Sequence, residues 1–147
     1  MLKVGEVAPD FALATTSLYA LLEERAAVVF FFPKAFTPGC TREATEFRAE
    51  FENLRKSRCG VVGVSRDSQA TCDAFRESLG LPYPLVGDPE GAILRAYKVR
   101  WPVVGLAQRV TYVVGQDHGV RVAFHSEFDV KAHVTEACAA LARPEAS

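Results

Sequence analysis

"AAVVFFFPKAFTPGC", residues 26–40, decides the fold. Residues 26–32 are an unbroken apolar run, rich in β-favouring side chains and too short for a buried helix. The run reads as a central strand covered on both faces. Pro33 cannot donate to a sheet ladder and ends the pairing. After Thr37-Pro38-Gly39 a helix begins, because proline is at home in a first turn. From there Cys40, Ala44, Phe47, Phe51 and Leu54 recur at intervals of 4, 3, 4 and 3. That is one stripe of a helix reaching about residue 56, with Cys40 on its inward face near the start.

Working outward, "DFALA" (10–14) reads as a short strand and "SLYALLEER" (17–25) as a short helix. "GVVGVS" (60–65) is a second buried strand, and "SQATCDAFRESLG" (68–80) a helix closed by Gly80. A turn-rich segment, "LPYPLVGDPEG", surrounds a short strand and leads to a helical turn at "AILRAY". "RVTYVVG" (109–115) and "VRVAFHS" (120–126) read as two strands joined by a turn, followed by a helix over 130–142 and a frayed tail over 143–147. The expected architecture is α/β, a mixed central sheet flanked by helices, in a single domain spanning 1–147.

The net charge is −1 with no long basic block, which argues against nucleic acid or an anionic membrane surface as partner. No apolar stretch approaches the roughly 20 residues of a membrane span, and Glu6 and Asp10 interrupt the opening where a signal peptide needs an apolar core. A cytoplasmic protein is the expectation. The four cysteines, at 40, 59, 72 and 138, are too sparse for a disulfide scaffold. They show no C-x-x-C pair, and none of the three histidines flanks them, so the ligand pairs of a structural zinc site are missing. No metal and no organic cofactor is expected.

Cys40 has two readings: a small core residue, or a reactive thiol. The first turn of a helix, with its unpaired N–H groups and positive dipole end, favours the thiolate. Thr37 adds a hydroxyl that can both donate and accept, and Gly39 lets the backbone come close to a bound group. Position alone does not separate the readings. The whole stretch does: Pro33, Thr37 and Cys40 make "P-x-x-x-T-x-x-C", which resembles the signature of the peroxiredoxins, thiol peroxidases on a thioredoxin-like fold. "VGEVAPDFAL", "GVVGVSRDS", "GLPYPLVGDPEG" and "QRVTYVV" resemble further peroxiredoxin segments in order along the chain, and "TPGCTRE" matches the bacterioferritin-comigratory, or Q-type, subgroup.

The resemblance implies a peroxidatic role for Cys40, a hydrogen bond between Thr37 and peroxide, and shielding of the pocket by Pro33. It implies that Arg109 holds the thiolate and polarises the substrate. Antiparallel pairing of the strand that starts at Arg109 with the strand that ends at Phe32 would bring both to one sheet edge. Glu43 either orients Arg109 or favours the first helical turn. The resemblance also implies hydrogen peroxide or an organic hydroperoxide as substrate, a thioredoxin-like reductant, and a monomer.

One departure stands out. Most Q-type proteins have a resolving cysteine five residues after the peroxidatic one, and here that residue is Thr45. Cys72 ranks first among the remaining thiols, because its helix starts at the same sheet edge as Cys40 and some Q-type proteins resolve from there. Cys59 belongs at the opposite end of the sheet, and Cys138 lies deep in the last helix. Cys72 also shares a stripe with Phe75 and Leu79, so a core role, with an external thiol as resolver, stays open.

Overall fold

The computed structural model describes residues 1–142; the tail expected over 143–147 lies outside the described residues. In chain order the elements are α1 (Leu18–Leu22), β1 (Ala26–Phe31), α2 (Pro38–Lys56), β2 (Cys59–Ser65), α3 (Gln69–Leu79), β3 (Leu85–Gly87), α4 (Ala92–Ala96), β4 (Val110–Val114), β5 (Val120–His125) and α5 (Val130–Ala142). The apolar run 26–32 does become the middle of a five-stranded sheet, ordered β3-β2-β1-β4-β5. Its side chains alternate between two cores. Ala27, Val29 and Phe31 join Leu18, Leu22, Leu94 and Tyr97 on the face of α1 and α4. Val28, Phe30 and Phe32 join Phe47, Leu54, Phe75 and Val134 on the face of α2, α3 and α5.

Strand direction positions the site. β1 and β2 are parallel, with Ala26 opposite Cys59 and Phe31 opposite Val64. β1 and β4 are antiparallel, with Phe31 opposite Val110. The ends of β1 and β2 and the start of β4 therefore share one edge, from which α2 and α3 depart. Cys59 sits at the other edge. Ser68 caps α3 by accepting from the Thr71 N–H, and Gly80 ends it in the left-handed region at φ 60°.

The strand expected over 10–14 is absent; only an isolated bridge pairs Ala12 with Ser17. Asp10 explains the difference. Its Oδ1 accepts from the N–H groups of Phe11 and Tyr19 at 2.9 and 2.8 Å, while the Phe11 carbonyl accepts from Leu18 N–H. Local capping of this kind satisfies the backbone without a sheet ladder. Among the described residues, no helix is long and apolar enough to cross a membrane.

Candidate active site

Cys40 is the third residue of α2 and only 1% exposed. Thr37, the N-cap, makes no side-chain capping bond; its hydroxyl instead donates to the Lys34 carbonyl at 2.7 Å. Two consequences follow. The first N–H groups of α2 stay open beside the sulfur. The Thr37 oxygen has spent its hydrogen and presents lone pairs, so it is left as an acceptor. Pro33 is half-buried at the end of β1.

Arg109 immediately precedes β4 and reaches back across the sheet edge. Its Nη2 lies 3.5 Å from Cys40 Sγ, its Nη1 donates to Glu43 Oε1 at 3.0 Å, and its Nε donates to the Glu127 carbonyl at 3.1 Å. All three nitrogens are engaged, so the fork is held in one orientation. Gly39 leaves the room: a Cβ there would stand 3.2 Å from Arg109 Nη2. Burial works against the arginine cation, and the neighbouring Glu43 and Cys40 outweigh it, raising its pKa further. Glu43 lies beyond the first turn of α2, and its buried contact is with the guanidinium rather than the helix end.

Burial pushes the Glu43 carboxyl up to about 8, further than Arg109 beside it pulls it down. The folded state therefore binds this proton more tightly than the unfolded chain. Stability from that source is complete below the ordinary carboxylate range and is lost as pH rises through about 8. Urea unfolding between about pH 5 and about pH 9 should show wild type losing stability relative to Glu43→Gln as pH increases. Parallel curves for the two proteins would remove this account.

Burial pushes Cys59 up to about 12 and also raises Cys72 and Cys138. Cys72 is fully buried in the same core as Cys40, with Ser65 Oγ 3.5 Å from its sulfur. The two thiols are nevertheless linked through the loop before α2. Ala35 N–H donates to Asp67 Oδ2 at 2.8 Å, and Ser65 Oγ donates to that same oxygen at 2.8 Å. Phe36 sits in the left-handed region at φ 65°, an unfavourable place for a bulky residue, and its ring meets Phe75 edge-on at 5.1 Å.

Of the sequence candidates, the structure gathers Cys40, Thr37, Arg109, Glu43 and Pro33 at one sheet edge and places Cys72 in the core nearby. Sequence reading missed Glu127, Asp67 and His133. Glu127 and Asp67 lie in loops with no distinguishing pattern. His133 did carry a signal, as the polar interruption of the buried stripe Val130, Val134 and Ala137. Among the described residues, no group of three or more His, Cys, Asp or Glu side chains is gathered to hold a metal ion.

Residues 4–123 match the AhpC/TSA family. A Mycobacterium tuberculosis protein provisionally named a peroxiredoxin is 35% identical over 151 residues, covering 95% of this chain and 96% of that protein. The chloroplastic peroxiredoxin Q of Gentiana triflora is 33% identical over 90% of this chain, which spans 63% of the plant protein. The crystal structure of the Mycobacterium tuberculosis peroxidoxin BcpB superposes with a TM-score of 0.89 at 34% identity, covering 98% of this chain and 100% of that one.

Proposed function

This chain belongs to the AhpC/TSA family and is a peroxiredoxin-type thiol peroxidase with a thioredoxin-like fold, and on that premise we propose that Cys40 is its peroxidatic cysteine. The carrying observation is the 3.5 Å approach of Arg109 Nη2 to Cys40 Sγ at the open start of α2. The Cys40 thiolate attacks the terminal oxygen of hydrogen peroxide or an organic hydroperoxide. An S–O bond forms as the O–O bond breaks, the departing oxygen takes a proton as water or alcohol, and Cys40 is left as sulfenic acid. Arg109 stabilises charge on the sulfur and on the departing oxygen. Thr37 accepts from the peroxide O–H, and Pro33 screens the sulfur from water. Glu43 orients Arg109.

Resolution then falls to Cys72. Its thiol attacks the Cys40 sulfur, an S–S bond forms, and water leaves. A thioredoxin-like dithiol returns both sulfurs to the reduced state by exchange. The reaction needs no metal or organic cofactor. Buried thiols on separate helices must first approach to the short Cα separation that a disulfide demands. The left-handed Phe36 supports local opening of this loop as the step that permits it, with the Asp67 bond to Ala35 the contact that opening must release. The reductant has apolar surface to dock on: Val103 and Phe128, 97% and 95% exposed, lie on the two loops that meet at Arg109. The resemblance to Q-type proteins supports a monomer, and the similarity to a bacterial relative supports a cytoplasmic location.

Peroxide consumption with thioredoxin, its reductase and NADPH tests the activity, and a peptide map under non-reducing conditions tests the route. After stoichiometric peroxide, the map should contain a Cys40–Cys72 link with Cys59 and Cys138 still alkylatable. Cys72→Ser should react once with peroxide, then lose thioredoxin-supported turnover and climb more readily to sulfinic acid. The full burial of Cys72 beside Ser65 and Phe75 favours one specific rival, a one-cysteine enzyme resolved by an external thiol. That enzyme would give a persistent sulfenic acid with no internal link.

A further inference from the structure

The two oxygens of Glu43 have different surroundings. Oε1 accepts from Arg109, whereas Oε2 is buried with no hydrogen-bond partner among the described residues and lies 3.6 Å from Nδ1 of His133. Both side chains are 0% exposed. His133, on α5, has its Nε2 2.7 Å from the Ser126 carbonyl oxygen, which can only accept, so Nε2 carries a hydrogen. Thr111 Oγ1 stands 2.7 Å from Nδ1, and the Phe124 ring meets the imidazole edge-on at 4.8 Å. The other titratable or charged groups around the pair are Arg109 before β4, Cys40 on α2, Tyr83 before β3, His125 on β5, and Glu127 on the loop that follows.

Counting protons leaves few acceptable states. With none on the facing atoms, Oε2 is a buried carboxylate oxygen with no donor, facing a ring nitrogen that can only accept, and a buried acceptor left unsatisfied is costly. With a proton on each, an imidazolium is buried beside the Arg109 cation while Glu43 is neutral, and Glu127, already engaged by Arg109 N–H and His125, is the carboxylate left to balance both. A single proton, on Oε2 or on Nδ1, avoids both. We propose that Glu43 and His133 hold one proton between them at neutral pH, which makes His133 a positioning residue for the charge of Arg109 at Cys40. The pair is then neutral as a unit, and the guanidinium keeps its charge for the sulfur. A bare carboxylate at 3.0 Å would cancel much of it. Burial supports this arrangement from both sides, raising the carboxyl and lowering the imidazole.

The inference rests on Cys40 as peroxidatic cysteine and adds a consequence. As pH rises and the shared proton leaves, Glu43 competes with Cys40 for Arg109. The rate of sulfenate formation then falls on the alkaline side, beyond any limb set by the thiol itself.

The proton is counted directly on full-length reduced wild type near neutral pH. Infrared difference spectra against Glu43→Gln report a protonated carboxyl, and nitrogen NMR of His133 reports its charge and tautomer. A carboxyl band with a neutral ring supports the proposal, as does an imidazolium with no such band. Neither signal, or both together, overturns it. This readout does not use peroxide, so failure of Cys40 to form sulfenic acid would end the functional reading without touching the proton count.

A kinetic arm tests the consequence. His133→Gln and His133→Asn place beside Oε2 an amide donor that cannot share its proton, which favours the Glu43 carboxylate against the burial that opposes it. Stopped-flow sulfenate formation should slow roughly tenfold near neutral pH and its alkaline limb should move to lower pH, with the KM for thioredoxin unchanged. A folded variant with wild-type rate and pH profile overturns the positioning role. If neither variant folds, judged by near-ultraviolet circular dichroism, the proton count on wild type decides.

Discussion

Cys40→Ser should reduce thioredoxin-supported peroxide consumption to the uncatalysed background. The hydroxyl that replaces the thiol is not ionised at neutral pH and cannot form a sulfenic acid, so both the nucleophile and the intermediate disappear together. The substitution is close to isosteric at a nearly closed position, so the fold should survive. Intact mass after stoichiometric peroxide should show no added oxygen and no internal disulfide in this variant, whereas wild type gains one or the other. Turnover above a small residue in a correctly folded Cys40→Ser protein would move the chemistry to another thiol. The structure gives that little room, since Cys59, Cys72 and Cys138 are all pushed toward the protonated thiol by burial.

Arg109→Met should slow the reaction of Cys40 with peroxide by roughly 10²–10³-fold, the usual loss when one preorganised donor to developing charge is removed. Methionine keeps much of the bulk and removes the cation, the 3.5 Å contact to the sulfur and the 3.0 Å contact to Glu43. Stopped-flow fluorescence under single-turnover conditions isolates this step from resolution and recycling. Arg109→Lys separates charge from shape, since it restores a point charge but not the planar fork engaging Cys40, Glu43 and Glu127. A partial recovery is expected. A rate within about threefold of wild type for Arg109→Met would remove Arg109 from the transition state.

The site was unevenly legible. The hand-over from β1 to α2 could be read because it is local: an apolar run of strand length, a proline, and a helical stripe beginning at Cys40. Antiparallel pairing of β4 with β1 was enough to bring Arg109 to the same edge. The segment 10–14 misled because its alternation suits a strand, whereas the Asp10 carboxylate satisfies the backbone locally. Glu43 could be read as a helix-dipole residue or as a partner of arginine, and only the 3.0 Å buried contact distinguishes the two.

By itself the sequence determined the α/β class, the elements apart from the segment 10–14, and the place of Cys40 at the start of α2. The expectation of a reactive Cys40 and of a missing resolving cysteine at Thr45 came instead from the resemblance to Q-type peroxiredoxins. The elements follow from periodicity and from residue types at short spacing, which the local backbone expresses directly. The tertiary structure decided how charge is arranged around the sulfur. The packing of α5 over α2 brings His133 to Glu43, and the chain after β5 brings Glu127 to Arg109. It also decided that Thr37 spends its hydrogen on Lys34 and that Phe36 is held left-handed beside α3. Desolvation and distance between groups far apart in the chain set those properties, and neither leaves a period in the sequence.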